Sequence, residues 1–76
     1  MSKYIVSYAS LHGTREISVC VSAETACDAL KSYCEAHKWN YTIVLKDADT
    51  DGILWASGTF TSDGVDRHIH AENASI

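Results

Sequence analysis

Along residues 3–9, KYIVSYA, side chains alternate in character. Tyr4, Val6 and Tyr8 share one side, and Ile5, Ser7 and Ala9 the other. A two-residue period of aromatic and β-branched residues predicts a strand with two opposed rows. Residues 15–21 repeat the pattern, with Ile17, Val19 and Val21 facing away from Glu16, Ser18 and Cys20. The loop 10–14 between them contains Gly13, which is free to take a positive φ angle. So short a connection predicts an antiparallel hairpin. The period then changes. Over residues 22–38, Ala23, Ala26, Cys27, Leu30, Tyr33, Cys34 and His37 recur at three- and four-residue steps, the stripe of an amphipathic helix. Ser22 stands where a capping hydroxyl can accept from a first-turn amide, and Glu24 and Lys38 complement the two ends of the dipole.

Period two resumes over residues 39–46, setting Trp39, Tyr41, Ile43 and Leu45 against Thr42, Val44 and Lys46. The turn 47–52 ends in Asp51-Gly52, a strong hairpin signal, and residues 53–61 are the expected fourth strand. An even-length loop brings Leu54, Ala56, Gly58 and Phe60 beside Ile43 and Leu45, leaving Ile53 and Trp55 on the outer face with Val44. An odd-length loop inverts the faces, since a one-residue slip moves every side chain across the sheet. The even loop is the expectation. From Ser62 onward the periodicity fades, so residues 62–76 read as a polar tail in which Val65 and Ile69 form a short edge strand or a final turn. The expected fold is α+β, a two-layer sandwich of a four-stranded antiparallel sheet with one helix on one face (ββαββ), in a single domain over residues 1–61.

A chain of 76 residues supports one small core, which makes added burial through a homodimer, for example through the open sheet face, worth considering. With 46% apolar residues the chain is not of the disordered class. Ten acidic against six basic residues, a net charge of −4, argue against direct nucleic-acid binding, which needs Lys and Arg to neutralise phosphates. The first residues show no long apolar run behind a basic start, so neither a signal peptide nor a membrane span is expected. Cys20, Cys27 and Cys34 include no C-x-x-C pair, and two of them fall on the helical stripe. Packed thiols in a reducing, cytoplasmic setting are the expectation, with no cofactor.

The most conspicuous motif is D-A-D-T-D-G at Asp47, Asp49, Asp51 and Gly52. Alternate carboxylates followed by Gly match the first half of a calcium loop, but Gly58 occupies the position of the closing Glu. An acidic hairpin tip is the better reading. His68 and His70, flanked by Asp66 and Glu72, face the same way if extended and are suited to chelating a metal. A metal-responsive domain using this loop or this His pair is therefore the alternative function. A thiol-dependent enzyme built on Cys34 and His37 is a second alternative, although no orienting group or oxyanion site is legible in the spacing. The stronger lead is the face the single helix leaves bare, carrying Ile5, Cys20, Val44, Ile53 and Trp55. A patch of this kind with a Trp marks interfaces.

Lys3-Tyr4-Ile5-Val6, then residues 17–21, then Ser22-Ala23-Glu24-Thr25-Ala26 opening a helix, and Asp51-Gly52-Ile53-Leu54-Trp55-Ala56 in a late strand, form a sequence of elements over residues 3–60. The arrangement resembles certain small phage-encoded type I anti-CRISPR proteins with a ββαββ plan. The resemblance implies a stoichiometric, non-catalytic inhibitor that binds a host defence complex. The chain departs from basic members of that group, since its helix offers only Lys31 and Lys38. Contact with lysines of a partner would fall to Asp47, Asp49, Asp51 or Glu35. The expectation is thus a protein-interaction module that occludes a partner's surface, with Trp55, Ile53, Val44, Asp47, Asp49 and Asp51 as the binding residues.

Overall fold

The alternating stretches form strands, but there is one more of them than expected and the last lies inside the sheet. In the computed structural model, which describes residues 1–9 and 15–74, the order is β1 (Ser2–Ala9), β2 (Glu16–Ala23), α1 (Ala26–Ala36), β3 (Asn40–Lys46), β4 (Trp55–Ser62) and β5 (Val65–Asn73). The strands form one antiparallel sheet in the order β2-β1-β5-β4-β3, with α1 packed on one face. The architecture is α+β, a five-stranded open sheet with one helix (ββαβββ), so the four-stranded expectation is corrected. The segment read as a polar tail supplies the central strand, pairing with β1 on one side and β4 on the other.

Local chemistry explains the insertion. Asp63 and Gly64 both take positive φ, 52° and 77°, between the closing pair Ser62 and Val65. That is the two-residue turn whose twist matches a hairpin. Beyond it, Ile69 and Ala71 lie buried opposite Tyr8 and Val6 of β1 and beside Gly58 and Ala56 of β4. Two buried residues suffice because a central strand is covered laterally by its neighbours. The β1–β2 hairpin forms as expected, in unbroken register from Ser2 opposite Ala23 to Ala9 opposite Glu16. Its connection, with Gly13, lies outside the described residues.

Helix α1 begins later than the periodicity predicts. Ser22 and Ala23 stay in β2, opposite Lys3 and Ser2. Thr25 is the N-cap instead, its Oγ1 accepting from the Asp28 amide at 3.0 Å. Ala26, Ala29, Leu30 and Cys34 are buried against Tyr4, Val6, Phe60 and Ala71, while His37 is exposed. The helix ends in a Schellman arrangement: Lys38 takes φ 60°, the Trp39 amide donates to the Cys34 carbonyl at 3.0 Å, and the Lys38 amide to Glu35 at 3.1 Å. This reversal lays Trp39 between two rings. Its centroid is 4.3 Å from Phe60 and 4.3 Å from His37, nearly parallel to both.

The face assignment holds for β4 and fails at the end of β3. Ala56, Gly58 and Phe60 point to the helix as the even loop requires, and Ile43 pairs with Gly58. A bulge between Ile43 and Leu45 then inserts Val44 as an extra residue and turns Leu45 outward, opposite Ser57. Leu45 is 61% exposed rather than packed beside Ile43. Gly58 makes the bulge possible, because a Cβ there would overlap the Thr42 carbonyl oxygen.

Candidate functional site

Because α1 covers a single face, the other is built entirely from the outward rows of the five strands. The register places these rows side by side. One runs Leu45, Ser57, His70, Ser7, Ser18 across β3, β4, β5, β1 and β2. The adjacent row runs Trp55, Glu72, Ile5, Cys20, and a third runs Thr42, Thr59, His68. Trp55 therefore lies on the outer face as expected. It is half-buried, its indole roughly parallel to the His70 ring with centroids 6.2 Å apart. Leu45 is diagonal to it across the β3–β4 pair, within reach of a large side chain.

His70 occupies the middle of this face. Its Nδ1 lies 2.6 Å from Ser57 Oγ, and its Nε2 lies 3.6 Å from Glu72 Oε1. A hydroxyl, an imidazole and a carboxylate in that order resemble a nucleophile with its base and orienter. The 3.6 Å separation is beyond a hydrogen bond, so the ring is positioned by Ser57 and by its stacking on Trp55 rather than by Glu72. The group is a cross-strand polar ladder. Beside it the face dips into an open depression of about 710 Å³, lined by Ser7, Arg15, Ser57, Asp66, His68 and His70 among others.

The six residues expected to bind a partner divide into two environments. Val44 is 61% exposed at the bulge of the edge strand. Ile53, 45% exposed, precedes β4 rather than lying in it. The acidic loop is turned on itself. Asp47 is buried, with Oδ1 accepting from the Asp49 amide at 3.1 Å and Oδ2 accepting from the Thr50 hydroxyl. The Gly52 amide donates to the Asp47 carbonyl at 2.8 Å, and the Gly52 carbonyl accepts from the Ala26 and Cys27 amides at 2.9 and 3.3 Å. The motif thus satisfies first-turn N–H groups of α1, which a helix start leaves open. Asp51 is exposed and pairs with Lys46 at 2.7 Å; that hydrogen bond and charge hold its carboxyl below the usual range and raise the Lys46 ammonium. Asp49 is exposed.

The metal reading meets the same geometry. Asp47 is directed into its own loop and Asp51 is engaged by Lys46. His70 is shared between Ser57 and Glu72, while His68 stands opposite Thr59. Among the described residues, no group of three or more His, Cys, Asp or Glu side chains is placed to hold a metal ion. Of the thiols, burial pushes Cys34 up to about 11 and also raises Cys27, which keeps both protonated near neutral pH. Cys20 is exposed on the outer face. Within the described residues no helix is long and apolar enough to cross a membrane.

Periodicity alone missed Leu45 and the Ser57–His70–Glu72 ladder. The first had a signal, since a Gly inside a strand pattern marks a bulge or a close backbone approach. The second depended on β5 being central. Comparison with protein-family models, with curated proteins and with solved structures finds no match.

Proposed function

We propose that this protein is a small, non-catalytic interaction module that binds another protein through the outer face of its sheet and occludes the surface it covers. One observation carries the reading: the face opposite the helix presents a half-buried Trp55 diagonal to exposed Leu45, with exposed Ile5 beyond Glu72 in the same row, next to an open depression lined by Ser7, Ser57, His68 and His70 among others. A Trp flanked by aliphatic groups and rimmed by Ser, Thr and His has the composition of an interface centre with a polar border. Val44 and Ile53 extend the patch at the β3 edge, and Asp49 and Asp51 add negative charge at the neighbouring loop. Asp47, buried in that loop, supports the shape and leaves the contact to its neighbours.

The narrower form of the proposal is an anti-CRISPR-like inhibitor from a phage or mobile element, acting on a host defence complex. It rests on the sequence resemblance alone, and the fifth strand departs from the ββαββ plan behind that resemblance.

The test compares what immobilised variants retain from a lysate of the source cells. A specific partner should be retained by the wild-type chain and by Lys31→Ala on the helix. Trp55→Ala, whose circular dichroism should stay native, should weaken retention by roughly 30-fold, the equivalent of about 2 kcal/mol for a central aromatic. A folded Trp55→Ala protein that retains the same partner equally well overturns the reading.

A further inference from the structure

The two edges of the sheet are built differently. The β3 edge is interrupted by the Val44 bulge, ends in Lys46, and leads into a loop that folds back so that the Asp47 amide reaches the Trp55 carbonyl at 3.2 Å. Bulges and charges of this kind protect an edge from adding strands. At the other edge, β2 pairs with β1 residue for residue over Glu16–Ala23, with no register shift, no proline and no charge from Ile17 to Ala23. Its inward row, Ile17, Val19 and Val21, is only half-buried, and among the described residues no strand pairs with its free side. A straight, neutral edge of β-branched residues is a template for another strand.

We propose that the free edge of β2 pairs with the same edge of a second copy of this chain. The two sheets then join into one ten-stranded antiparallel sheet about a two-fold axis at Val19. Residues directly opposite in an antiparallel pair share a face, so the row facing the helix in one copy must meet the same row in the other. An axis at Cys20 sets Glu16 opposite Glu24 of the second copy, like charges in direct opposition. An axis at Val19 removes that clash. It pairs Ile17 with the second copy's Val21, Val19 with itself, Ser18 with Cys20, and Glu16 with Ser22. It also brings Arg15 to within one position of the second copy's Glu24, and symmetry repeats this at the other end. Both residues are exposed. Self-complementary side chains and opposite charges at both ends favour a second copy over an unrelated strand. The surface is separate from Trp55, and the joined sheets would present two outer faces side by side.

Sedimentation equilibrium on the full chain, from about 1 µM to about 1 mM, should show the mass rise from 8.3 kDa toward twice that value. An interface of one strand pair implies a dissociation constant of about 10–100 µM. Val19→Lys places like charges face to face on the axis and should raise that constant by at least about 30-fold, with native circular dichroism and a somewhat lower melting temperature because half-buried Val19 packs against the core. Ser18→Cys places a thiol opposite Cys20 of the second copy, and mild oxidation should trap a covalent dimer that Ser18→Cys combined with Cys20→Ser does not form. A chain that stays monomeric at the highest concentration, or a dimer that Val19→Lys leaves intact, overturns the proposal. A trapped dimer of the unmodified chain through Cys20 alone overturns the Val19 axis. Unchanged dimerisation in Trp55→Ala keeps this test distinct from that of the partner-binding face.

Discussion

Two residues show how much of this fold turns on single backbone positions. Gly58 has no room for a side chain: a Cβ would strike the Thr42 carbonyl oxygen and stand 3.1 Å from the Ile43 Cα, both backbone atoms that cannot rotate away. Gly58→Ala should therefore cost ~3 kcal/mol, readable as a lower denaturant midpoint with unchanged m. Gly64→Ala is the useful contrast. Nothing lies within 4 Å of its Cβ position, so only the strain of φ 77° remains, worth about 1 kcal/mol. Lys38 is the reverse case, a side chain held at φ 60° where glycine is preferred. Lys38→Gly removes that strain and keeps the reversal that stacks Trp39 on Phe60. It should raise the melting temperature by about 3–6 °C in a calorimetric scan, even after the added freedom of glycine in the unfolded chain is subtracted.

At the scale of elements, the loop 47–54 is the part whose role is most changed by seeing it in place. Its pattern of alternate carboxylates ending in Asp-Gly was legible as a turn, and Asp51 and Gly52 do take positive φ, 54° and 85°, with the Ile53 amide closing on the Thr50 carbonyl at 3.2 Å. That turn is the outer bend of a longer loop, whose other end is fixed by Asp47. The docking of this loop on α1 was not legible, because the Gly52 carbonyl meets the Ala26 and Cys27 amides across the fold. The same limit explains the misplaced N-cap. Ser22 and Thr25 both have capping hydroxyls, and the choice is made by strand pairing of Ser22 with Lys3, far away in sequence. Asp47→Ala strips the loop of its internal acceptor, taking from the Asp49 amide its acceptor and leaving the Thr50 hydroxyl only the bond it accepts from the Leu54 amide. It should destabilise the protein by ~1–3 kcal/mol. Amides of the first helical turn, Ala26 and Cys27, should lose hydrogen-exchange protection before those of β1. Equal loss across the protein would show that the loop does not anchor the helix.

For the molecule as a whole, the decisive feature is that the last strand is the central one. The faces of β1, β2 and β4 were legible because alternation survives in each, with Tyr4, Val6 and Tyr8 inward and Trp55 outward. β5 was not, since its outward row of Asp66, His68, His70 and Glu72 and its sparse inward apolar residues resemble a solvated tail. A second Asp-Gly pair, Asp63-Gly64, carried the hairpin signal that outweighs this composition. The topology has a direct consequence. β1 and β4 never touch as neighbours, so the β1–β2 and β3–β4 hairpins are joined laterally only through β5. Pairs such as Tyr4 with Asn73 close nearly the full length of the chain, an arrangement that slows folding because distant segments must meet first. A chain ending at Ser62, which periodicity alone would regard as complete, should lack cooperative thermal unfolding and native near-ultraviolet dichroism. Its loss removes buried Ile69 and Ala71 and opens the flanks of β1 and β4 together. Adding a peptide of residues 63–74 should restore both signals in a concentration-dependent way, as a missing central strand fills a slot with two ready edges. A truncated chain that melts cooperatively on its own would mean that α1 alone can hold the two hairpins in one fold.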